Sequence, residues 1–423
     1  MLVVASTGCG SVGRTATAAP IPTDAATDTP TDVPASPPST PLATGTASQA
    51  DLATFATIES QVQAIRGLKS TTTVTPVLLD PQGLTAKLTE INAAQTDHQA
   101  MAAQSRLFIH LGLLPAGSSL EKMELDLDSS QVIGFYDEIS KGLYVLSDTG
   151  GVGALEEATF SHEYTHALQD QNFGLAKLAL DATDQGDRDI ARRTLVEGDA
   201  TLEMSMWEQK YLSFGDLVSI ALGSANGTQA EQLAAAPAIL SEQLPFPYSE
   251  GLTMVQAAYK QGGWTAVDKL YANPPVSTSQ ILHPTLYASH VQPVVVTMPA
   301  APAALGNDWK LTMQDTLGEL QLRIWLHGDN PTSEAASAAA AATASWGGDR
   351  VGLYEGPDGA WAVVLKTTWR SAAGSQAFRA AADQVLVGLS NSNPTRICSD
   401  SSTVSLVVAS DKTVIPKLQI CGN

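Results

Sequence analysis

The chain has 423 residues, 44% of them hydrophobic, with 23 basic against 43 acidic residues and a formal charge of −20. That length accommodates two or three domains with full apolar cores. The acidic balance excludes nucleic acid and electrostatic docking on anionic lipid, since both need a basic face.

Taken from its start, the chain opens with Met1 to Cys9, MLVVASTGC, a short apolar stretch leading through small residues to a cysteine. This resembles the end of a bacterial lipoprotein signal, and the resemblance implies lipidation at Cys9. No basic segment precedes the apolar run and Ser6 stands where such signals carry Leu, so an upstream start is expected. Residues 10–50 are almost entirely Thr, Ala, Pro, Ser and Gly. Such a composition builds no core and reads as a disordered tether holding a body away from a surface. No run is long and apolar enough to span a bilayer, so the membrane is reached only through the anchor at Cys9. The expected location is extracytoplasmic, on the outer face of a bacterial cell membrane. Cys398 and Cys421 lie in strand-like stretches and are placed to pair in an oxidising compartment.

Order is expected from Asp51. Phe55, Ile58, Val62, Ile65 and Leu68 recur at helical spacing, and Leu84 to Leu114 continues the pattern until Pro115 and Gly117 break it, giving a helical lead-in over 51–117. Gln131 to Asp148 then places β-branched and aromatic residues around a Glu138 to Gly142 turn, a hairpin. Glycines 150, 151 and 153 precede, and Gly174 follows, the stretch Glu156 to Phe173, EEATFSHEYTHALQDQNF, as helical start and stop signals.

That stretch contains His162-Glu163-Tyr164-Thr165-His166. On a helix, positions i and i+4 lie one turn apart on one face, so both imidazoles can reach one tetrahedral zinc. Glu163 falls beside the ion, placed to take a proton from a water and hand it to a leaving amine. A catalytic zinc takes three protein ligands, and a second helix, IARRTLVEGDATLEMSMWEQKY, offers the third. Ile190, Thr194, Glu197, Thr201 and Glu208 share one of its faces, and Glu197 is the expected ligand. Gly198 beside it is expected to allow a close approach between the two helices. Asp170, at i+4 from His166, competes for the ligand position and is expected instead to orient a ligating histidine from outside the ligand set. Asp199 is placed in the same outer ring, and Glu203 is a weaker alternative.

His162-Glu163-x-x-His166 followed by Leu195-Val196-Glu197-Gly198-Asp199-Ala200 resembles the gluzincin metallopeptidases, the group holding thermolysin and the zinc aminopeptidases. The resemblance covers about Gln131 to Tyr211. It implies zinc ligands His162, His166 and Glu197, with Glu163 as base. Thr201 stands where thermolysin-like enzymes place an aspartate, and no G-x-M-E-N segment lies upstream.

Residues 212–247 read as a variable insertion, and Tyr248 to Gly262 as a helix. His283, made extended by Pro284, is a candidate for polarising the scissile carbonyl, with Tyr248, Tyr259 and Tyr271 as competitors. Past Leu305 the expected elements are helices over Leu311 to Leu326 and Glu334 to Trp346, a hairpin of Val351 to Glu355 with Ala360 to Thr368, a helix over Ser375 to Leu389, and strands over Val404 to Ala409 and Val414 to Ile420.

The expected fold is therefore α+β: a mainly helical zincin-like domain over 51–304, with its core at 131–211 and later helices at 248–290, then a small α+β domain over 305–423. The expected activity is hydrolysis of a peptide or protein substrate by a zinc-activated water. The alternative from another class is an inactive peptidase-like lipoprotein acting as a binding scaffold, and the retained Glu163 argues against it.

Overall fold

In the computed structural model, residues 2–5, 48–146, 152–180, 182, 184–224 and 227–420 are described. Cys9, Cys421 and nearly all of the tether lie outside the described residues. The chain is a mixed α+β protein, 59% helical and 15% strand, with two small sheets. No helix among the described residues is long and apolar enough to cross a membrane.

The first sheet has the order β1-β3-β4-β2, built from β1 (Leu2–Ala5), β2 (Pro76–Leu79), β3 (Val132–Asp137) and β4 (Gly142–Leu146). Strands β3 and β4 form the expected hairpin, turned at Lys141 with φ 60°. Strand β1 pairs antiparallel along the outer edge of β3, whereas β2 runs parallel to β4. The expected all-helical lead-in thus contains a strand. Val77, Leu78 and Leu79 are β-prone residues between Pro76 and Asp80, and they satisfy their backbone groups on β4.

Helices α1 (Gln49–Arg66), α2 (Pro81–Gln95) and α4 (Leu120–Gln131) surround this sheet, α5 (Ala154–Phe173) crosses beneath it, and α3 (His98–Leu111) packs instead toward the strands of the second sheet. Every residue of β3 is buried, because its alternate side chains meet helices on both faces. Phe135 packs with Leu84, Leu88 and Ile91 of α2, while Tyr136 packs with Phe160, Tyr164 and Leu168 of α5. Phe55, Ile58 and Val62 of α1 close the same cluster, as their spacing requires.

Helix α6 (Gly186–Tyr211) runs beside α5, followed by α7 (Phe214–Ser224), α8 (Gly227–Ala235), α9 (Ala238–Ser241), α10 (Phe246–Gly262), α11 (Trp264–Ala272), α12 (Thr278–Leu282) and α13 (Pro284–Ala288). Gly198 does allow a close helix approach, but to α10 and not to α5. An ideal Cβ there would lie 2.2 Å from the carbonyl carbon of Gly251.

The second sheet is antiparallel, in the order β5-β6-β7-β9-β8: β5 (Lys310–Asp315), β6 (Trp346–Glu355), β7 (Trp361–Trp369), β8 (Thr395–Ser399) and β9 (Thr403–Ala409). Helices α14 (Gly318–His327), α15 (Ser333–Thr343) and α16 (Ala372–Leu389) cover one face, and α17 (Val414–Lys417) lies on the other. Two expectations are corrected here. The helix expected from Leu311 begins at Gly318, because Leu311 to Asp315 pair with β6. The strand expected over Val414 to Ile420 is a helical turn, since Pro416 has no N–H to give a ladder and Asp411 caps Thr413. One apolar cluster joins Phe108 and Leu111 of α3, Ile239 and Phe246, and Trp325, Leu353 and Phe378 of the second sheet's layer. Residues on both sides of position 305 therefore share a core. Cys398 on β8 is disulfide-bonded, and its Sγ lies 4.0 Å from the carbonyl oxygen of Ile420.

Candidate metal centre

Helix α5 starts where Gly153 donates its N–H to Glu156 at 3.1 Å, with Glu156 and Glu157 in the first turn where the helix dipole favours anions. It stops at Gly174, left-handed at φ 73°. Between those ends, residues 158–170 are buried throughout. Tyr164, Ala167 and Leu168 face the apolar cluster, and the same helical period turns His162 and His166 toward α6.

Nε2 of His162 and Nε2 of His166 are 2.9 Å apart, and Oε2 of Glu197 lies 3.2 Å from the first and 3.4 Å from the second. Ligands held about 2.0–2.2 Å from one tetrahedral ion sit about 3.3–3.5 Å from each other. The two edges to Glu197 lie close to that spacing, and the edge between the imidazoles is shorter. The three residues form a buried group able to hold a metal ion, and they are the only group of its kind among the described residues. Burial lowers His162 to about 4, while for His166 burial is opposed by the charge and hydrogen bond of Glu197 together with Glu163 and Gln169, which lift it to about 9. Burial would raise Glu197, but His166 and His162 facing it hold the carboxyl at about 2. The pocket therefore keeps a carboxylate pointed at a site that favours positive charge.

Glu163 lies one residue round the helix. Its two oxygens are buried and neither has a well-formed hydrogen bond. Burial pushes its carboxyl up to about 8, and the backbone of Tyr136 on β3 offsets this only in part. Strand and side chain meet because β3 carries Gly134 at the crossing, where a Cβ would lie 2.7 Å from Thr159 and 3.5 Å from Cγ of Glu163.

The remaining candidates separate. Asp170 is not brought to a histidine: it accepts from Tyr136 Oη at 2.9 Å, from the Leu175 N–H at 3.1 Å and from Lys141 Nζ, pinning the hairpin turn to the end of α5. The residue that meets His166 is Gln169, with Oε1 2.9 Å from Nδ1. Asp199 stands behind it, 3.1 Å from Gln169 Nε2, and Arg66 of α1 bonds both Asp199 oxygens at 2.7 and 3.1 Å. Burial works to lower the Arg66 pKa, and the charge and hydrogen bonds of Asp199 together with Tyr271 and Asp268 raise it. Tyr271 donates to the same carboxylate at 2.7 Å. Glu203 is buried and bonds the hydroxyl of Thr165 at 3.1 Å, away from both imidazoles' Nε2 atoms.

His283 is also elsewhere, with Nε2 2.7 Å from Glu319 of α14. Tyr259 stacks edge-on against Trp264. Tyr248 is the competitor that reaches the centre: its ring lies 6.3 Å from that of His162, and burial followed by the charges of Glu197 and Glu163 raises its phenol. The crossing of Gly198 and Gly251 sets this placement, since Tyr248 sits about one turn before Gly251 on α10. Sequence reasoning missed Gln169 and Arg66. Gln169 carried a signal, standing three residues after His166 on the same face; Arg66, distant in sequence, carried none.

A family model described as a domain of unknown function, DUF8575, matches residues 310–415, which run from β5 into α17 and exclude every residue of the triangle. No curated protein and no solved structure matches the chain.

Proposed function

We propose that the chain is a zinc metallopeptidase with a zincin-like core of gluzincin type, hydrolysing peptide bonds of peptide or protein substrates outside the cell. The observation that carries this reading is Glu163. A carboxylate with both oxygens buried and without a well-formed bond, directly beside two imidazoles and a third acidic ligand, has no packing role to explain it. It has a chemical one.

Zinc held by His162, His166 and Glu197 would acidify a bound water and polarise a carbonyl oxygen. Glu163 receives a proton at its carboxylate and returns it to the leaving nitrogen, a task suited to a group held near neutrality by burial. Tyr248, whose ring lies 6.3 Å from that of His162, would offer its phenol to the oxygen on which charge develops. An extended substrate would take the place of β1, which pairs antiparallel along β3, and make its main-chain hydrogen bonds to β3 instead. The disulfide at Cys398 supports an oxidising compartment, and with it a location outside the cytoplasm reached through lipid at Cys9.

Glu163→Gln is nearly isosteric and tests the reading. The variant is expected to bind zinc as the wild type does and to lose at least ~100-fold in turnover of a peptide library. Equal inactivity of wild type and variant across that library favours the binding-scaffold alternative.

A further inference from the structure

Gln169 is fully buried between α5 and α6, and its surroundings leave its carboxamide one orientation. Nε2 faces the carbonyl oxygen of Val196 at 3.0 Å and Oδ2 of Asp199 at 3.1 Å. A backbone carbonyl only accepts, so the amide nitrogen belongs on that side and Oε1 belongs on the side of His166. Asp199 adds to the constraint, because every contact it makes is with a donor: Arg66 Nε and Nη2, Tyr271 Oη and Gln169 Nε2. Arg66 is itself fixed, paired also with Asp268 at 2.8 Å and lying 4.5 Å from the centroid of the Trp264 ring. An oxygen 2.9 Å from a ring nitrogen requires a proton on that nitrogen.

We propose that Gln169, anchored by Asp199 and Arg66, is a positioning residue that fixes His166 as the Nδ1–H tautomer, leaving the Nε2 lone pair directed at the ligand triangle. The inference rests on the reading of that triangle as a metal site, but the tautomer is set by the protein before a metal binds. His162 supplies an internal contrast. Its Nδ1 is buried and has no hydrogen-bond partner among the described residues, so no side chain holds that ring from behind as Gln169 holds His166. The chain of contacts also ties α1 and α11 to the centre, which gives the buried Arg66 a use beyond packing.

The test is long-range proton–nitrogen correlation NMR on the full chain stripped of metal, above about pH 9 where both rings are neutral, with zinc affinity measured separately by chelator competition. In the wild type His166 is expected to carry its proton on Nδ1 alone, while His162 is not held to that form. Gln169→Leu is expected to give His166 a mixture of tautomers and to weaken zinc binding by about 10- to 100-fold. A wild-type His166 protonated on Nε2 with Nδ1 bare overturns the proposal, as does a folded Gln169→Leu protein with unchanged tautomer and affinity. If Gln169→Leu does not fold, the wild-type spectrum still decides. Failure of the wild type to bind zinc overturns the metal reading, whereas the role of Gln169 stands or falls on the tautomer measured without metal.

Discussion

Gly198 and Gly251 meet backbone to backbone where α6 crosses α10. A Cβ on Gly198 would lie 2.2 Å from the carbonyl carbon of Gly251, and one on Gly251 would lie 2.2 Å from the carbonyl oxygen of Thr194. Glu197 precedes the first glycine and Tyr248 lies a turn before the second. The contact therefore sets how the third ligand and the phenol face each other.

Gly198→Ala is accordingly expected to destabilise the protein by about 1–3 kcal/mol or more, because backbone atoms and not a flexible side chain oppose the new methyl. Gly388→Ala on α16 is the control: a Cβ there meets nothing within 4 Å, and the better helix former should be neutral or stabilising. Urea unfolding of the two variants checks the contrast, and equal stabilities would contradict the crossing.

Removal of a ligand and removal of its neighbour should have opposite effects on metal content. Glu197→Ala is expected to lose most of the bound metal, since it takes one ligand from three. Asp170→Ala should keep it, because Asp170 serves Tyr136, Lys141 and Leu175. Elemental analysis of the purified proteins decides; metal retained by the first and lost by the second would reassign the ligand.

A pH dependence of stability is expected from carboxyls between α6, α12, α14 and the second sheet. Burial raises Asp187 to about 8, with the charges of Asp349 and Glu319 adding to it, and burial raises Asp315 and Asp349 to about 6. Each binds its proton more tightly folded than unfolded, where an aspartyl pKa is about 3.9. The stability they contribute is present in full below about pH 4 and is lost as pH rises through about 6 to 8. Unfolding free energy should therefore be higher at about pH 5 than at about pH 8. Asp187→Asn keeps an acceptor for the Thr278 N–H, 3.0 Å from Oδ1, and should flatten the upper part of that slope. A slope unchanged in the variant would show that Asp187 is ionised in the folded protein across this range.

Cys398 of β8 is disulfide-bonded, and its Sγ lies 4.0 Å from the carbonyl oxygen of Ile420. Cys398→Ser should lower stability by on the order of 3 kcal/mol, through the freedom returned to the unfolded end of the chain. Calorimetry checks the loss, and peptide mapping without reductant checks the partner, expected to be Cys421. An unchanged unfolding temperature would mean that the bond constrains nothing.

What the sequence determined by itself is local and periodic. His162 and His166 share a face because a helix repeats every 3.6 residues, and the glycines that bound α5 act within one turn of their own positions. The β3–β4 hairpin was legible for the same reason, as its turn and its alternation lie within twenty residues. Glu197 was also readable, since the spacing on α6 put it on a face with Ile190 and Thr194, though no local rule said which helix that face would meet. Tertiary structure decided the rest. Asp170 and Gln169 are one residue apart, and helical spacing allowed either to reach His166; the hairpin turn drew Asp170 away through Tyr136 and Lys141, while Val196 and Asp199 held Gln169 in place. His283 and Tyr248 were equal competitors as residue types, and only the packing of α12 on α14 and of α10 on α6 separated them. Arg66 joins the centre from an isolated position at the end of α1. Contacts between segments far apart along the chain are fixed by which apolar faces bury one another, and a side-chain period specifies a face without specifying its partner.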